Sequence, residues 1–481
     1  MSEKYETVIG LEVHVQLSTE TKAFCGCSTA FGAGPNTQVC PVCLGLPGCL
    51  PVFNKKAFEY ALKVALALNC DIQKIVKFDR KNYYYPDLPK NYQISQFDTP
   101  LAYNGKITIS LEGGGSKKIG ITRAHMEEDA GKLLHDLDPV SSCIDLNRTG
   151  TPLLEIVSEP DISSSQEAYD YLTVLKRIIK YLEVSDCNME EGSLRCDANI
   201  SIRKKGEKEL GTKVEVKNMN SFKAVREALS FEQNRQIELA EDGEKIIQET
   251  RLWDENRNIT SSMRTKEQTQ DYRYFPEPDL VPFEVKKETI ERLQKELPEL
   301  PQEREKRFIK QYGLGAVDVD TLVAEKDVAD FFEKVVAELN DPQAVSNWVK
   351  GEVMMHMNER GTDISGLNIS PSGLAKIIKM TKEGAVSGLA AKEALEAYID
   401  TGKDPEAIVK DKGLEQVSDV TALEEAAEKA IKENEKSVKD YKSGKENALS
   451  FLVGQVMKAT KGKANPKLVG EILRKKLGEN S

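Results

Sequence analysis

Apolar and polar residues alternate from Tyr5 to Leu17: Ile9, Leu11, Val13, Val15 and Leu17 take one parity, Glu12, His14 and Gln16 the other. A period of two sends the sets to opposite faces of a strand, so this stretch predicts a half-buried, antiparallel strand. Ser193–Arg203 repeats the pattern, with Leu194, Cys196, Ala198, Ile200 and Ile202 opposed to Arg195, Asp197, Asn199 and Ser201. Gly211–Lys217 does so over a shorter span, with Val214 and Val216 opposed to Lys213, Glu215 and Lys217. Between the strands the period lengthens. Lys55–Asn69 and Gln166–Leu182 predict helices, the second with Ala168, Leu172, Leu175, Ile179 and Leu182 on one side and a capping-box spacing from Ser164 to Glu167.

After Val285 the character changes. Pro298-Glu-Leu-Pro301 punctuates the chain, and helix follows helix. Gln343–Asn358 is one. Another begins at Ser370-Pro371, an N-cap followed by proline at the first helical position. A second break, at Thr401–Asp404, leaves a small, charged helical bundle. The pattern predicts an α+β chain: a largely antiparallel domain over 1–292, a helical domain over 293–404 and a helical tail over 405–481.

Composition changes this picture little. The 481 residues are too many for one core and fit about two to four domains. The start, MSEKYETVIG, has no apolar run behind a basic head, and no apolar stretch approaches bilayer length, so a cytosolic protein is expected. Net charge is −11, which argues against a protein coated in basic surface. Charge is unevenly spread, however. Asp411–Tyr441 carries nine acids against five Lys, whereas Lys442–Ser481 carries nine Lys and Arg against three Glu. That basic end suits contact with a phosphate backbone, the alternative being a solvated helix face.

Five of the nine cysteines lie between Cys25 and Cys49. Cys25-Gly-Cys27 and Cys40-Pro-Val-Cys43 form two close pairs across a loop containing Gly32, Gly34 and Pro35. In a cytosolic chain such clustering points to metal before disulfides. Four thiolates suit a closed, structural zinc site at 25–43; an iron–sulfur cluster and unligated buried thiols are the alternatives. Cys49, Cys70, Cys143, Cys187 and Cys196 lack paired spacing and are expected as small core residues.

The polar strand faces carry the chemistry. Glu12 and His14 stand side by side and can reach one cation, the alternative being an ordinary solvated face. TRAHMEEDAGK at 122–132 adds His125, Glu127, Glu128 and Asp129. If these faces line one concave sheet, they form a bowl of acids interleaved with Lys and Arg. A few carboxylates plus substrate phosphates satisfy Mg²⁺, while the bases neutralise a transferring phosphoryl group. No G-x-x-x-x-G-K-[ST] loop, G-x-S-x-G elbow or Ser-His-Asp pattern is present, and Gly113-Gly-Gly115 reads as a hairpin turn. Two aromatic, basic segments, Phe78–Asp87 continuing to Tyr92–Gln96 and Asp271–Asp279, could stack on a base and hold phosphate, or serve as rim structure.

Taken in order, IGLEVHVQL, KFDRKNYYYPDLPKNYQISQFD, ITRAHMEEDAGK, DLNRTGTPLLEIVSEPDI, MEEGSLRCDANIS, EVKNMNSF and DYRYFPEPDL resemble the B-subunit family of aspartyl/glutamyl-tRNA amidotransferases. The likeness continues to the C-terminus through SFLVGQVMKATKGKANPKLV. It implies a cradle domain, a helical domain and a YqeY-like helical tail that contacts tRNA. It further implies ATP-dependent phosphorylation of the side-chain carboxylate of Glu-tRNA(Gln) or Asp-tRNA(Asn). Ammonia made by a glutaminase A subunit then displaces phosphate, and a small C subunit completes a heterotrimer with no membrane. By the same likeness Glu12, His14 and Glu127 match the positions of a catalytic Mg²⁺. Asp197 and Glu215 are further acidic candidates and Glu155 a subsidiary one. Charge and strand face, not the likeness, assign Arg195, Lys213 and Lys217 to phosphate contacts, and the likeness assigns Cys25, Cys27, Cys40 and Cys43 to the family's structural Zn²⁺ knuckle.

Overall fold

The computed structural model describes residues 4–134, 141–265, 272–416, 420–445, 447–460 and 464–478. It divides into two compact units, Met1–Leu300 and Pro301–Ser481. The architecture is mixed, sheet-rich in the first unit and helical in the second, as the change of period predicts.

A nine-stranded sheet organises the first unit, with the strand Tyr5–Gln16 at its centre. On one side of it lie Leu194–Lys204, Val214–Lys217, Glu249–Asp254 and Ile259–Thr265; on the other lie Pro152–Ser158, Ser116–Glu128, Ala102–Ser110 and Asp71–Ile72. Every pairing is antiparallel except Val214–Lys217 with Glu249–Asp254. Ile9, Leu11, Val13, Val15 and Leu17 are all at most 1% exposed, each contributing about 1.5–3 kcal/mol by burial. The predicted Gly211–Lys217 strand begins only at Val214. Gly211 packs so tightly that a Cβ there would stand 2.1 Å from the carbonyl oxygen of Ile202. Gly113, Gly114 and Gly115 make the hairpin turn between Ala102–Ser110 and Ser116–Glu128, all with positive φ of 88–98°, a region open to glycine at little cost.

Helices Ser165–Tyr181 and Phe222–Glu241 cover the apolar face. Ser164 caps the first, its Oγ accepting from Glu167 N at 3.1 Å. The return half of the expected capping box is shifted by one residue: Glu167 accepts from Ser163 N at 2.8 Å and pairs with Lys117. Helix Lys287–Glu296 stays with this unit past the expected boundary at 292, because Leu293 is fully buried in its core. Arg273–Pro276, Asp79–Asn82 and Tyr92–Ser95, in that order, form a three-stranded sheet of their own.

In the second unit Ser370 caps the helix Pro371–Lys382 as expected. The span predicted as one helix from 343 is interrupted: Pro342–Trp348 and Met354–Arg360 flank a π-turn at Val349–Val353. In the tail Leu423, Leu452, Val456, Val469 and Leu473 form a separate small core. Lys461 and Lys463 of its basic end lie outside the described residues. No described helix is long and apolar enough to cross a membrane.

Candidate active site and metal centre

Strand register decides which polar residues meet. His14 lies opposite Arg195 on one neighbour and Glu155 on the other, and Glu155 lies opposite His125. This row crosses four adjacent strands. One row away, Glu12 lies opposite Asp197 and Val157, and Val157 opposite Arg123. On the other side Gln16 lies opposite Leu153 and Leu153 opposite Glu127. Asn199 and Glu215 pair beyond Glu12.

The densest group is His14, Glu127 and Glu155, which bring one ligand atom each to within 4.8 Å of one another. His14 Nε2 lies 3.2 Å from Glu155 and 3.6 Å from Glu127, and His125 Nε2 lies 3.3 Å from Glu155. Burial opposes protonation of His14, but its bond to Glu155 and the charge on Glu127 outweigh that and raise its pKa. Burial likewise pushes Glu155 up, yet the two imidazoles hold it far below the usual carboxylate range. Glu127 has no such relief: burial drives its pKa upward, opposed by His14 and reinforced by Glu155. One imidazole and two carboxylates, one of them resisting ionisation, form a donor set that a divalent cation such as Mg²⁺ or Mn²⁺ would satisfy.

Of the residues expected here, Glu12 does not join this group; it accepts from Asn199 Nδ2 at 2.9 Å in the next row. Asp197 pairs with Lys217, which also bridges to Glu215 at 3.0 Å. Arg195 is turned toward Asp129, 2.9 Å away, where Gln16 donates at 2.7 Å. Burial raises the Asp129 pKa, but Arg195 and Arg148 outweigh it and hold the carboxyl below its usual value. Lys213 is exposed ahead of its strand and is not brought to the cluster.

Three contributors escaped the site assignment made from sequence. His125 and Asp129 are named with the polar bowl but receive no individual role there. Lys81 came from the other aromatic, basic segment. It faces the cluster from the three-stranded sheet, paired across strands with Tyr274. Burial works against its charge, but Glu127, the nearby tyrosines and Glu155 raise its pKa. Alternation flags none of the three, because it reports the face of one strand and not which strands converge.

The four knuckle thiols also converge, with their Sγ atoms within 4.8 Å of one another and Cys40 and Cys43 at 3.9 Å. Burial is uneven: only Cys43 is buried, and its sulfur accepts from Cys40 N at 3.1 Å. The bond from Cys25, the Cys40 amide and Lys22 bring its pKa down to about 4, burial notwithstanding. Lys22 is 0% exposed, with its Nζ 3.7 Å from Cys43 Sγ and bonded to the carbonyl of Gln38 at 2.7 Å. Four thiols around a thiolate-stabilising centre, with a buried cation beside them, fit a tetrathiolate metal site such as zinc. Of the remaining cysteines, Cys187 and Cys196 are buried and Cys49 and Cys70 partly so; Cys143 is exposed instead of packed, on the ribbon formed by Lys132–Leu134 and Cys143–Asp145.

Comparison with known proteins agrees over the whole length. A family profile described as GatB/GatE catalytic domain matches residues 7–291, and one described as GatB domain matches residues 330–477. The chain is 56% identical to the B subunit of the aspartyl/glutamyl-tRNA(Asn/Gln) amidotransferase of Carboxydothermus hydrogenoformans, over 99% of each chain. It is 57% identical to the protein of the same name from Thermoanaerobacter sp. (strain X514), over 99% of this chain and all of the other. The Moorella thermoacetica protein is 54% identical, over 98% of this chain and all of the other.

Proposed function

The chain belongs to the GatB/GatE family, and from that we propose that it is the amidating subunit of a tRNA-dependent amidotransferase, converting Glu-tRNA(Gln) or Asp-tRNA(Asn) to the amide. The observation that carries the reading is the convergence of His14, Glu127 and Glu155 beside Lys81 and Arg195 on the polar sheet face.

A carboxylate is a poor acyl donor, so its oxygen first takes the γ-phosphoryl group of ATP, releasing ADP. Ammonia then attacks the acyl carbon, and inorganic phosphate leaves with the former carboxylate oxygen. His14, Glu127 and Glu155 would hold Mg²⁺, which supplies charge neutralisation at the transferring phosphoryl group. Lys81 adds positive charge at the same face, while Lys217 fixes Asp197 and Glu215. Asp129 holds Arg195 and Gln16 in place next to His14. Glu12, bonded to Asn199, stands one row off the group. The four cysteines would hold Zn²⁺, which would fix the loop without entering the reaction.

In this reading ammonia comes from an A subunit, with a small C subunit completing the complex in the cytosol. The C-terminal bundle, 405–481, grips the tRNA body. The test is a reconstituted reaction with the A and C subunits, Mg-ATP, glutamine and Glu-tRNA(Gln), following Gln-tRNA and ADP. Amidation that requires this chain, ATP and misacylated tRNA together supports the assignment. ATP turnover on free glutamate without tRNA would replace it with a general carboxylate–amine ligase.

A further inference from the structure

Exposed aromatic side chains are concentrated in one place. Tyr84, Tyr85, Phe97, Tyr272 and Phe275 all belong to the three-stranded sheet and its loops, whereas Phe31 and Phe451 are the only other exposed aromatics among the described residues. Phe97 lies flat on Tyr274, with ring centroids 4.0 Å apart and planes inclined by 16°, yet remains 58% exposed. One face of the stack is therefore open. Water gains nothing from such a surface, whereas a nucleobase can stack on it.

The platform is fixed relative to the carboxylate cluster. Tyr274 pairs with Lys81, and Lys81 with Gln93 on the third strand. Gln93 donates to the carbonyl of Glu128 at 2.7 Å, Ile94 N to the Glu128 carboxylate at 2.9 Å, and Gln96 accepts from Met126 N at 2.9 Å. The small sheet is thus bonded to the strand bearing Glu127. Phe97 is held by its own amide, which donates to buried Asp79 at 3.0 Å. Lys81 projects between the platform and the cluster, its ammonium 4.7 Å from the Tyr272 ring centre, and no carboxylate pairs with it among the described residues. An unpaired cation beside an open stack suits a nucleotide, with phosphate and base met by different groups.

We propose that the Phe97–Tyr274 stack binds the terminal base of the tRNA substrate, positioning the esterified amino acid for the cluster. The inference rests on the proposed amidation of aminoacyl-tRNA. Its logic is one of reach: the reacting carboxylate is only an amino acid's length from the terminal ribose, so that nucleotide's base must lie close to the site. A single-stranded end arriving from solvent needs an open platform, and Phe97 offers one. The base of ATP would instead be expected in an enclosed pocket.

The assembled complex with its A and C subunits tests this, using tRNA that carries 2-aminopurine in place of the terminal adenosine. Binding should quench the fluorophore in the wild type and in Phe97→Tyr, but not in Phe97→Ala or Phe97→Leu. In steady-state amidation of unlabelled Glu-tRNA(Gln), Phe97→Ala should raise KM for tRNA about tenfold, leaving KM for ATP within about twofold. Unquenched fluorophore on a wild-type complex that amidates normally would overturn the proposal and leave the amidation reading standing. A rise in KM for ATP alone would assign the stack to the other nucleotide, and loss of assembly with the A subunit would make it a protein contact; both overturn it. A wild-type complex that binds tRNA and quenches the fluorophore yet never amidates would instead reject the amidation reading.

Discussion

Two clusters of charge, one in each unit, are built on opposite principles. In the helical unit Arg304 and Arg307 each close on Glu333 at 2.6 Å, Tyr312 donates to the same carboxylate at 2.9 Å, and Asp330 meets Arg304 at 2.5 Å. Burial opposes its ionisation, yet these donors hold Glu333 at a pKa of about 2. On the sheet, Glu127 and Glu155 crowd against His14, the Glu127 carboxyl is pushed above its usual range, and Nδ1 of buried His125 has no hydrogen-bond partner among the described residues. The helical network sets two guanidinium groups and a phenol against one carboxylate and stabilises a fold. The sheet cluster stays short of positive charge, and that shortfall is what a metal and phosphates would meet.

The largest expected effect breaks the comparison at its functional side. Glu127→Ala should reduce amidation about a thousandfold or more while tRNA affinity stays nearly unchanged; unaltered turnover would move the chemistry elsewhere. Next, Cys40→Ser should empty the thiolate site, seen as zinc loss by elemental analysis. It should also lower the first unit's melting temperature by about 5–10 °C. A fully loaded, equally stable variant would argue against a structural metal. Removing residues 410–481 should weaken tRNA binding about tenfold and flatten its dependence on salt; equal affinity with and without the tail would leave the bundle no part in binding.

The smallest effect lies on the helical side. Glu333→Ala should destabilise that unit by about 1 kcal/mol, because solvent screens this partly exposed network, with no change in amidation per folded molecule. Since the folded pKa of Glu333 is depressed, its contribution is present above the unfolded value of about 4.3. It is lost as pH falls toward 2. Denaturant titrations of wild type and variant should therefore converge over that window.

Much of this comparison was legible beforehand. Alternation identified Glu12, His14 and Gln16 as one polar face, and the spacing of Cys25, Cys27, Cys40 and Cys43 indicated a four-thiol site. Partnership across strands was not legible. His14 meets Glu155 and not Glu12 because register between strands more than a hundred residues apart puts Glu155 directly opposite it. Lys81 reaches the site through the small sheet, and Asp129 acts through Arg195, a contact that periodicity does not report. The π-turn at Val349–Val353 interrupts a segment whose apolar spacing reads as one helix, since one extra residue in a turn changes the period only slightly.

The claim that the sheet cluster is a cation site is tested most directly with Mn²⁺ as a paramagnetic substitute for Mg²⁺, added to the zinc-loaded chain and examined by electron spin echo envelope modulation. One bound Mn²⁺ is expected, with nitrogen coupling from an imidazole that is lost in His14→Ala, and markedly weaker binding in Glu127→Gln. Absence of bound Mn²⁺, or nitrogen coupling that survives His14→Ala unchanged, would contradict it.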